Sequence, residues 1–318
     1  MKNKTTCLSI VVCLFISMSK ISWANTIQDD QAQSERAVGT EFFFSDDSEG
    51  FQTRKFSAEF LPKYISTDNY LGIRASAYNY KTNDWSQNGQ KISFIGRDIN
   101  SSTANGWSLE AGIFEQNDHN LFTFDGSYRT AIAEKTAMEV FANRDWVETR
   151  SALEQGTHFT FLGTAIDQGL GEHVTVVGVA GSQFFSDDNR RDHGRIKLIY
   201  QPSLDLGLTL QARYRTYHSN QEDVGGAYFN PKNYDESMLA LGWRQRFAGW
   251  SAGLTAGLGR EKINKARSQS TQLIELNLQS PIHGSQFLRM NAGYNNSASF
   301  NGPDYDYSYV RCEWVLRF

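Results

Sequence analysis

The last thirteen residues of the chain alternate between apolar and polar side chains, and this pattern constrains the fold more than any other feature. Val310, Cys312, Trp314, Leu316 and Phe318 occupy every second position, and most positions between them are polar. A period of two is the period of a β-strand, whose successive side chains point to opposite faces. One face of this segment therefore suits an apolar solvent and the other suits water.

Segments with the same period follow one another from Val38 to the end of the chain, separated by turn residues. In lipid, every backbone polar group must be paired within the protein, so strands with one apolar face are stable there as a closed ring. We therefore predict an all-β fold, a closed antiparallel transmembrane β-barrel of about 16 strands (range about 14–18), and keep a large secreted β-sandwich as the alternative. The predicted strands cover residues 38–45, 51–61, 69–80, 89–98, 106–115, 120–128, 135–144, 157–167, 173–184, 192–200, 206–218, 235–246, 250–259, 271–280, 285–294 and 306–318.

The predicted connections alternate in length along the chain. Those after even-numbered strands are mostly short, as at 168–172, 248–249 and 281–284. Those after odd-numbered strands include longer polar stretches, as at 145–156 and 219–234. Short turns on one side and long loops on the other are typical of barrels in the outer membrane of Gram-negative bacteria. We expect the chain to lie in that membrane, with its termini and short turns in the periplasm.

The N-terminal segment has the features of a cleaved signal peptide. Lys2 and Lys4 precede an apolar core from Leu8 to Met18, which is too short to span a bilayer as a helix. Small residues at Ser22 and Ala24 suit a signal peptidase, so we expect cleavage after Ala24. The predicted organisation is a signal peptide at 1–24, a flexible lead-in at 25–37 and an outer-membrane β-barrel at 38–318.

The C-terminal strand also resembles the signal by which outer-membrane barrels are recognised for insertion. The residues that carry this resemblance are Trp314, Leu316 and the terminal Phe318. It implies that the barrel-assembly machinery is a partner and that outer-membrane lipid and lipopolysaccharide surround the folded chain.

Charge and cysteine content exclude several other functions. The signal segment holds three of the 31 lysine and arginine residues and none of the 35 acidic residues, so the mature chain carries a net charge of −7. An acidic chain is a poor ligand for nucleic acid, and we expect none as a partner. Cys7 and Cys13 leave with the signal, and Cys312 alone can form neither an intramolecular disulfide nor a cysteine zinc cluster. We predict no metal and no cofactor.

The histidines do not form a recognisable catalytic set. His218 and Ser219 are adjacent and would point to opposite faces of a strand, where they cannot share a proton. Asp118-His119 and Asp192-His193 lie in polar surroundings that favour solvated side chains. We predict no catalytic residues and no enzyme activity, with an outer-membrane hydrolase barrel as the remote alternative.

The strand face opposite the apolar face is predicted to line the lumen. It carries thirteen basic and six acidic side chains by this assignment, so a net basic wall is expected. The charges either brace the wall as pairs across neighbouring strands or contact a transported solute, and the two roles are compatible. We expect Arg213, Arg215, Arg244 and Arg246 to form one cluster on neighbouring strands. The predicted pore-lining residues are Arg74, Arg195, Lys197, Arg213, Arg215, Arg244, Arg246, Glu275 and Arg289.

Residues 225–247 carry a resemblance to a known family. Tyr228, Phe229, Asn230 and Pro231, followed by a strand that ends Trp-Arg-Gln-Arg at 243–246, are similar to the C-terminal barrel of exopolysaccharide export porins of the PgaA type and, more distantly, the BcsC type. The PgaA type exports poly-β-1,6-N-acetylglucosamine. The resemblance covers about residues 38–318 and implies a porin that exports a biofilm-type exopolysaccharide, with that polysaccharide as its substrate.

Two functions remain open at this point. The first is exopolysaccharide export, and the alternative is a general or small-anion diffusion porin. Exporters of this family carry a helical tetratricopeptide region before the barrel, whereas only residues 25–37 separate the predicted signal from the first strand. A separate periplasmic scaffold protein is therefore a candidate partner.

Overall fold

The structure of this chain, a computed structural model, describes residues 35–203, 205–281, 285–297 and 306–318. The predicted signal peptide and most of the predicted lead-in lie outside the described residues. The elements are β1 (Glu35–Asp47), β2 (Gln52–Ser66), β3 (Asn69–Lys81), β4 (Ser86–Ile99), β5 (Gly106–Gln116), β6 (His119–Ala133), β7 (Thr136–Trp146), α1 (Arg150–Gln155), β8 (His158–Leu170), β9 (Val174–Phe185), β10 (Arg190–Ser203), β11 (Leu208–Ser219), β12 (Asn233–Phe247), β13 (Trp250–Ile263), β14 (Gln269–Gln279), β15 (Gln286–Asn295) and β16 (Tyr307–Arg317).

The strands form one closed ring. Each strand pairs antiparallel with the next, and β16 pairs with β1, where Trp314 lies opposite Thr40 and Val310 opposite Phe44. The predicted closed antiparallel barrel of 16 strands is confirmed, and each predicted strand overlaps one observed strand. Residues 35–37, which were predicted to belong to the lead-in, form the start of β1.

The outer face of the barrel is apolar all the way round. Each of the sixteen strands exposes at least one large apolar side chain, and Ile92, Leu239 and Leu258 are each 71% exposed. A continuous belt of this kind would be unfavourable in water and is the surface that a barrel presents to lipid. The sandwich alternative is wrong, because the sheet closes on itself and leaves no second sheet to cover this face. Within the described residues, no helix is long and apolar enough to cross a membrane.

The two ends of the barrel differ. The start of β1 and the end of β16 lie at one end, here called the terminus end, together with tight turns such as 134–135 and 248–249. The opposite, loop end carries the long connections 147–157 and 220–232. Some predicted loops are shorter than expected, since 81–88 contracts to 82–85 and 260–270 to 264–268. The strands extend beyond the apolar belt there, with polar residues in the ladder.

Two prolines lie inside strands where the pairing register shifts. Pro62 falls between Phe60 and Lys63 of β2, and Pro202 falls between Tyr200 and Ser203 of β10. Proline cannot donate a ladder hydrogen bond, so it is tolerated in a strand mainly at such bulges. Both bulges lie towards the terminus end, and the ladder between them and the loop end is regular.

The lumen as the candidate functional site

The inner face of the wall carries the polar side chains that the apolar belt excludes. All nine predicted pore-lining residues lie on this face, since their positions alternate with the exposed apolar residues of the same strands. Arg74 on β3, for example, lies between Ile73 and Ala75, and Ile73 is 57% exposed on the outside. The role of these residues in lining a conducting pore stays a prediction.

Glu41 on β1 is the centre of one group of ion pairs. Its side chain is 2% exposed and contacts Lys55 Nζ of β2 at 2.9 Å and the guanidinium of Arg311 on β16. Next to it, Arg289 of β15 pairs with Glu313 of β16 at 3.2 Å. A charge removed from water needs a partner of opposite sign, and each of these charges has one. These pairs join the first strand to the last and brace the closure of the barrel.

Arg74 is the centre of a second group. It contacts Glu59 of β2 at 2.7 Å and also the carboxylate of Glu110 on β5, which in turn accepts Lys91 Nζ of β4 at 3.0 Å. Ser93 adds a hydrogen bond to Glu110 over 3.1 Å. The two groups, on β15, β16 and β1 to β5, form what we call the paired wall.

The inner faces of β10 and β11 have a different arrangement. Arg195 lies directly opposite Arg215, and Lys197 lies directly opposite Arg213. We call these four residues the cationic ladder. Because the cations occupy successive inward positions on both strands, they form a two-by-two patch on the wall.

The cationic ladder has little compensation. Arg215 pairs with Glu236 of β12 at 2.5 Å, and both Nε and Nη2 of Arg213 donate to Gln211 Oε1, at 3.0 and 2.7 Å. Neither Arg195 nor Lys197 has a hydrogen bond or an ion pair within the part of the chain that the structure describes. Three of the four cations therefore lack a carboxylate partner among the described residues.

Arg244 and Arg246 lie outside this patch. The prediction that they form one cluster with Arg213 and Arg215 is therefore wrong. They share the inner face with Arg213 and Arg215, and β11 pairs with β12, as predicted. The register, however, places Met238 opposite Arg213, and Arg244 is six residues farther along β12 towards the terminus end. At about 3.3 Å per residue the separation is about 20 Å. Strand pairing alone does not fix register, which is why the sequence could not show this.

The prediction of lumen-facing residues from the sequence missed several charged side chains. Inward carboxylates on β1, β7, β8, β12 and β13 were not assigned, so the wall is less basic than predicted. In β12 the next inward residues after Glu236 are Met238 and Ala240, which are apolar. Because apolar residues occupy both faces there, the alternation does not identify Glu236 as inward. The missing acids are Glu41, Asp145, Asp167, Glu236 and Glu261, and the missing bases are Arg129 and Arg191.

Two connections at the loop end fold inward and pack against the inner wall. In the first, residues 147–157, Leu153 of α1 is fully buried against inward aromatic rings of β3 and β5, including Tyr80 and Phe114. Val147 and Ala152 of the same connection are fully buried beside Phe161 of β8. We call 147–157 and 220–232 the mouth loops.

Helix α1 has defined caps at both ends. Thr149 is the N-cap, and its hydroxyl oxygen accepts a hydrogen bond from the amide of Ala152 at 2.8 Å. Gly156 ends the helix in the left-handed region at φ 69°, which glycine adopts without strain. Any Cβ there would also lie 2.9 Å from the ring of His119. The turn of helix is thus fixed against the inner wall.

The second mouth loop carries the Tyr228 to Pro231 motif. Tyr228 is 1% exposed, its ring stacks on Phe185 of β9 at 4.6 Å, and its hydroxyl donates to Asp187 Oδ2 over 2.8 Å. The amide of Asn189 donates to Tyr228 Oη at 3.0 Å and to Asn230 Oδ1 at 2.9 Å. The motif therefore anchors this loop to the inner wall. Burial raises the pKa of Tyr228 above its ordinary value, so the hydroxyl remains a donor.

Arg191 on β10 also anchors the second mouth loop. Its Nη2 donates to the carbonyl of Phe229 at 2.7 Å, and its guanidinium lies 4.7 Å from the ring centre of Tyr217. Arg191 is 5% exposed, so it is part of the anchor.

Glu148 is a titratable group within the first mouth loop. Removal from water raises its pKa to about 7, and the nearby carboxylate of Asp145 acts in the same direction. Tyr80 Oη lies 3.4 Å from Glu148 Oε1. Protonation of this carboxyl therefore falls within the pH range that bacteria meet.

The histidine pairs are dispersed. Asp192 lies on the outer face with Ser182 and Arg190, whereas His193 lies on the inner face 3.3 Å from Gln183. His218 bonds to Asn233 at 2.9 Å. Within the described ranges, no group of three or more histidine, cysteine or acidic residues is placed to hold a metal ion.

The residues of the predicted insertion signal lie on the outer face at the terminus end. Trp314 Nε1 donates to Gln286 Oε1 at 3.2 Å, and the backbone of Phe318 exchanges hydrogen bonds with Arg36. Leu316 shares the outer face with them, and the side chain of Phe318 is 64% exposed. Their role in insertion stays a prediction.

Comparison with known proteins supports the fold and leaves the family open. No protein-family model and no curated protein matches the chain. Among solved structures, the chain is similar to a "Bacterial polysaccharide outer membrane secretin", with a TM-score of 0.67 and 13% identity over 89% of this chain and 98% of that one. Outer membrane protein OprD from Pseudomonas aeruginosa gives a TM-score of 0.45 with 10% identity over 90% and 94% of the two chains. OccAB2 from Acinetobacter baumannii gives a TM-score of 0.42 with 9% identity over 90% of this chain and 98% of that one. The similarities to OprD and OccAB2 are too weak to support a conclusion. The chain thus has the fold of outer-membrane β-barrels, a closed antiparallel ring of 16 strands.

Proposed function

We propose that this barrel is a channel that passes an exopolysaccharide outward across the outer membrane of a Gram-negative bacterium. The observation that carries the proposal is the chemistry of the inner wall, which combines rows of hydrogen-bonding side chains with inward aromatic rings at the loop end. Phe43 and Tyr309 are half-buried and stack at 6.4 Å, and Tyr217 and Tyr234, which stack at 4.8 Å, are buried and support the wall behind the lumen surface. Sugars offer hydroxyls to polar groups and apolar ring faces to aromatic rings, so this wall suits a sugar polymer.

Transport would be passive. No covalent bond is made or broken, and the contacts along the wall have to be weak and repeated so that a polymer moves without being trapped. The mouth loops, which pack on inward aromatic residues, would have to move aside for a chain of sugars to leave. The likeness of the fold to a protein described as a polysaccharide secretin also supports the proposal.

The partners follow from this role. A nascent polysaccharide would enter from the periplasm at the terminus end, and a separate periplasmic scaffold protein would guide it there. Barrel-assembly machinery would insert the chain, and lipid and lipopolysaccharide would contact the apolar belt.

A small-anion porin is the second candidate. The cationic ladder favours it, because fixed positive charges in a confined aqueous space attract anions. A porin of this kind would allow uptake of small anions through the same wall without any polymer.

Deletion of the gene distinguishes the two functions. The export proposal predicts loss of surface polysaccharide, with uptake of small anions unchanged, and restoration by a plasmid copy. If surface polysaccharide persists while small-anion uptake falls, export is wrong and the porin function replaces it. A plasmid copy carrying only Cys312→Ser, on the outer face opposite Met290, serves as the control for expression level.

A further inference from the structure

The cations of the inner wall have two different kinds of neighbours. In the paired wall, Lys55, Arg74 and Arg311 each contact a carboxylate across a strand boundary. The same holds on β6, where Arg129 contacts Asp167 of β8. Pairing of this kind is the ordinary way to place charges in a crowded lumen, because each removes the field of the other.

The cationic ladder departs from that arrangement. Directly opposite residues on antiparallel strands have Cβ atoms about 5 Å apart, and like charges at such positions are destabilising. Arg195 opposite Arg215 and Lys197 opposite Arg213 are two such like-charge pairs, side by side. Among the described residues, only Arg215 of these four forms an ion pair with a carboxylate, that of Glu236. The carboxylates of Glu236 and Glu275 offset part of this repulsion, but they are two against four cations.

The acids elsewhere in the lumen reduce the positive charge of the ladder without cancelling it. Asp125 on β6 and Asp145 on β7 are inward, and neither forms an ion pair with the ladder. Glu275 on β14 is also inward and forms no ion pair with the ladder. The ladder therefore presents a net positive field to whatever fills the channel.

We propose that the cationic ladder binds acidic groups of the transported polymer, and that the substrate is an acidic polysaccharide bearing carboxylates at short intervals. The inference rests on the proposed export function. The planar guanidinium of Arg213 or Arg195 can donate two parallel hydrogen bonds to a carboxylate, whereas Lys197 supplies a compact point charge. Successive inward residues are about 7 Å apart along a strand, so adjacent rungs can hold successive acidic groups of one polymer.

The residues of the cationic ladder also allow the polymer to move without being trapped. Arg195 and Lys197 have no hydrogen bond or ion pair within the described chain, so they can shift from one acidic group to the next. Arg244 and Arg246 on β12, about 20 Å nearer the terminus end, place a second group of cations on the side where the polymer enters. A cationic polymer, such as a deacetylated amino sugar chain, would be repelled by these cations.

Binding to the purified barrel in detergent tests the ladder apart from the cell. The probe is a fluorescently labelled oligogalacturonate, followed by fluorescence anisotropy at low ionic strength. Neutral malto-oligosaccharides and cationic chitosan oligomers of equal length serve as comparisons. We expect the acidic oligomer to bind about tenfold or more tightly than either, with affinity that falls as salt rises.

The variants locate the site. Lys197→Gln with Arg213→Gln should weaken oligogalacturonate binding about tenfold. The matched control, Lys55→Gln with Arg289→Gln, also removes two positive charges. Both of these residues belong to ion pairs of the paired wall, so the affinity should change by less than about twofold. Heat-modifiable mobility on gels checks that each barrel is folded.

The outcomes separate this inference from the export proposal. Equal binding of neutral or cationic oligomers, or equal weakening by the control pair, would overturn the ladder as an acid-binding site while leaving export untouched. If the ladder binds the acidic oligomer but gene deletion leaves surface polysaccharide unchanged, export fails and the ladder is the anion site of a porin. Acid-selective binding through the ladder, together with loss of an acidic surface polymer on deletion, supports both.

Discussion

The hydroxyl of Thr149 donates a hydrogen bond to the carbonyl oxygen of Ala227 over 2.6 Å, and so joins the two mouth loops. The same hydroxyl accepts from the amide of Ala152 as the N-cap of α1. One side chain thus orders the helix and ties it to the loop that carries Tyr228. Thr149 is fully buried, so water cannot replace either bond if the hydroxyl is removed.

Substitution of Thr149 tests whether the mouth loops control conduction. Thr149→Val keeps the shape and removes both hydrogen bonds, at a cost of about 2 kcal/mol to the packed loops. We expect more frequent opening in planar-bilayer recordings and faster cleavage within 220–232 by an added protease. Thr149→Ser, which keeps the hydroxyl, is the control and should behave as wild type. Recordings of the valine variant that match wild type would show that this contact does not hold the mouth closed.

A second prediction concerns pH and Glu148. Its folded pKa, about 7, lies above its unfolded value because the packed loop disfavours the charged form. The packed loop therefore binds more protons than the open loop between these two values, and its stability falls as pH rises through that range. We expect opening to be rarer near pH 5 than near pH 8.

Glu148→Gln supplies the comparison. The amide cannot ionise, so the variant should show little change in opening frequency from pH 5 to pH 8 in the same recordings. Glu154→Gln, on the exposed side of α1, removes a carboxylate from the same loop and should keep the wild-type pH dependence. A pH dependence that survives in Glu148→Gln would assign the effect to another group.

The faces and number of the strands could be read from the sequence because lipid imposes a simple rule. A residue such as Ile73 or Leu239 must alternate with polar neighbours if one face meets lipid and the other meets water. The rule acts locally, within each strand, so no knowledge of the partner strand was needed. Sixteen segments obey it, and sixteen strands formed.

Register and loop placement could not be read in this way. The meeting of Arg195 with Arg215 depends on the lengths of the turn and the bulge between β10 and β11, about which the alternation says nothing. Tyr228 was identified within a motif, but its burial depends on Phe185 and Asn189, about 40 residues away in sequence. The site therefore depends on long-range contacts, whereas the barrel depends on local ones.

Cysteine labelling tests which end of the barrel faces outward. Lys265→Cys and Glu222→Cys place thiols at the exposed loop end, and Glu172→Cys places one in the turn between β8 and β9 at the terminus end. In a Cys312→Ser background, an impermeant maleimide added to whole cells should label the first two and spare the third. Lysed cells provide the control, since all three should then react. Labelling of Glu172→Cys on intact cells, with the loop end protected, would invert the orientation.

The last prediction compares the stability of the paired wall with that of the cationic ladder. Glu41→Gln leaves Lys55 and Arg311 facing each other around a buried amide, and loss of one partner from a buried charge group costs about 3–5 kcal/mol. Arg213→Gln instead relieves the repulsion from Lys197, so the free energy of unfolding should be unchanged or slightly higher. Urea unfolding in detergent, followed by the heat-modifiable gel band, measures both. If the two variants lose stability equally, Arg213 must be as well compensated as Lys55, and its positive charge would then be structural, with no need of an acidic ligand to balance it.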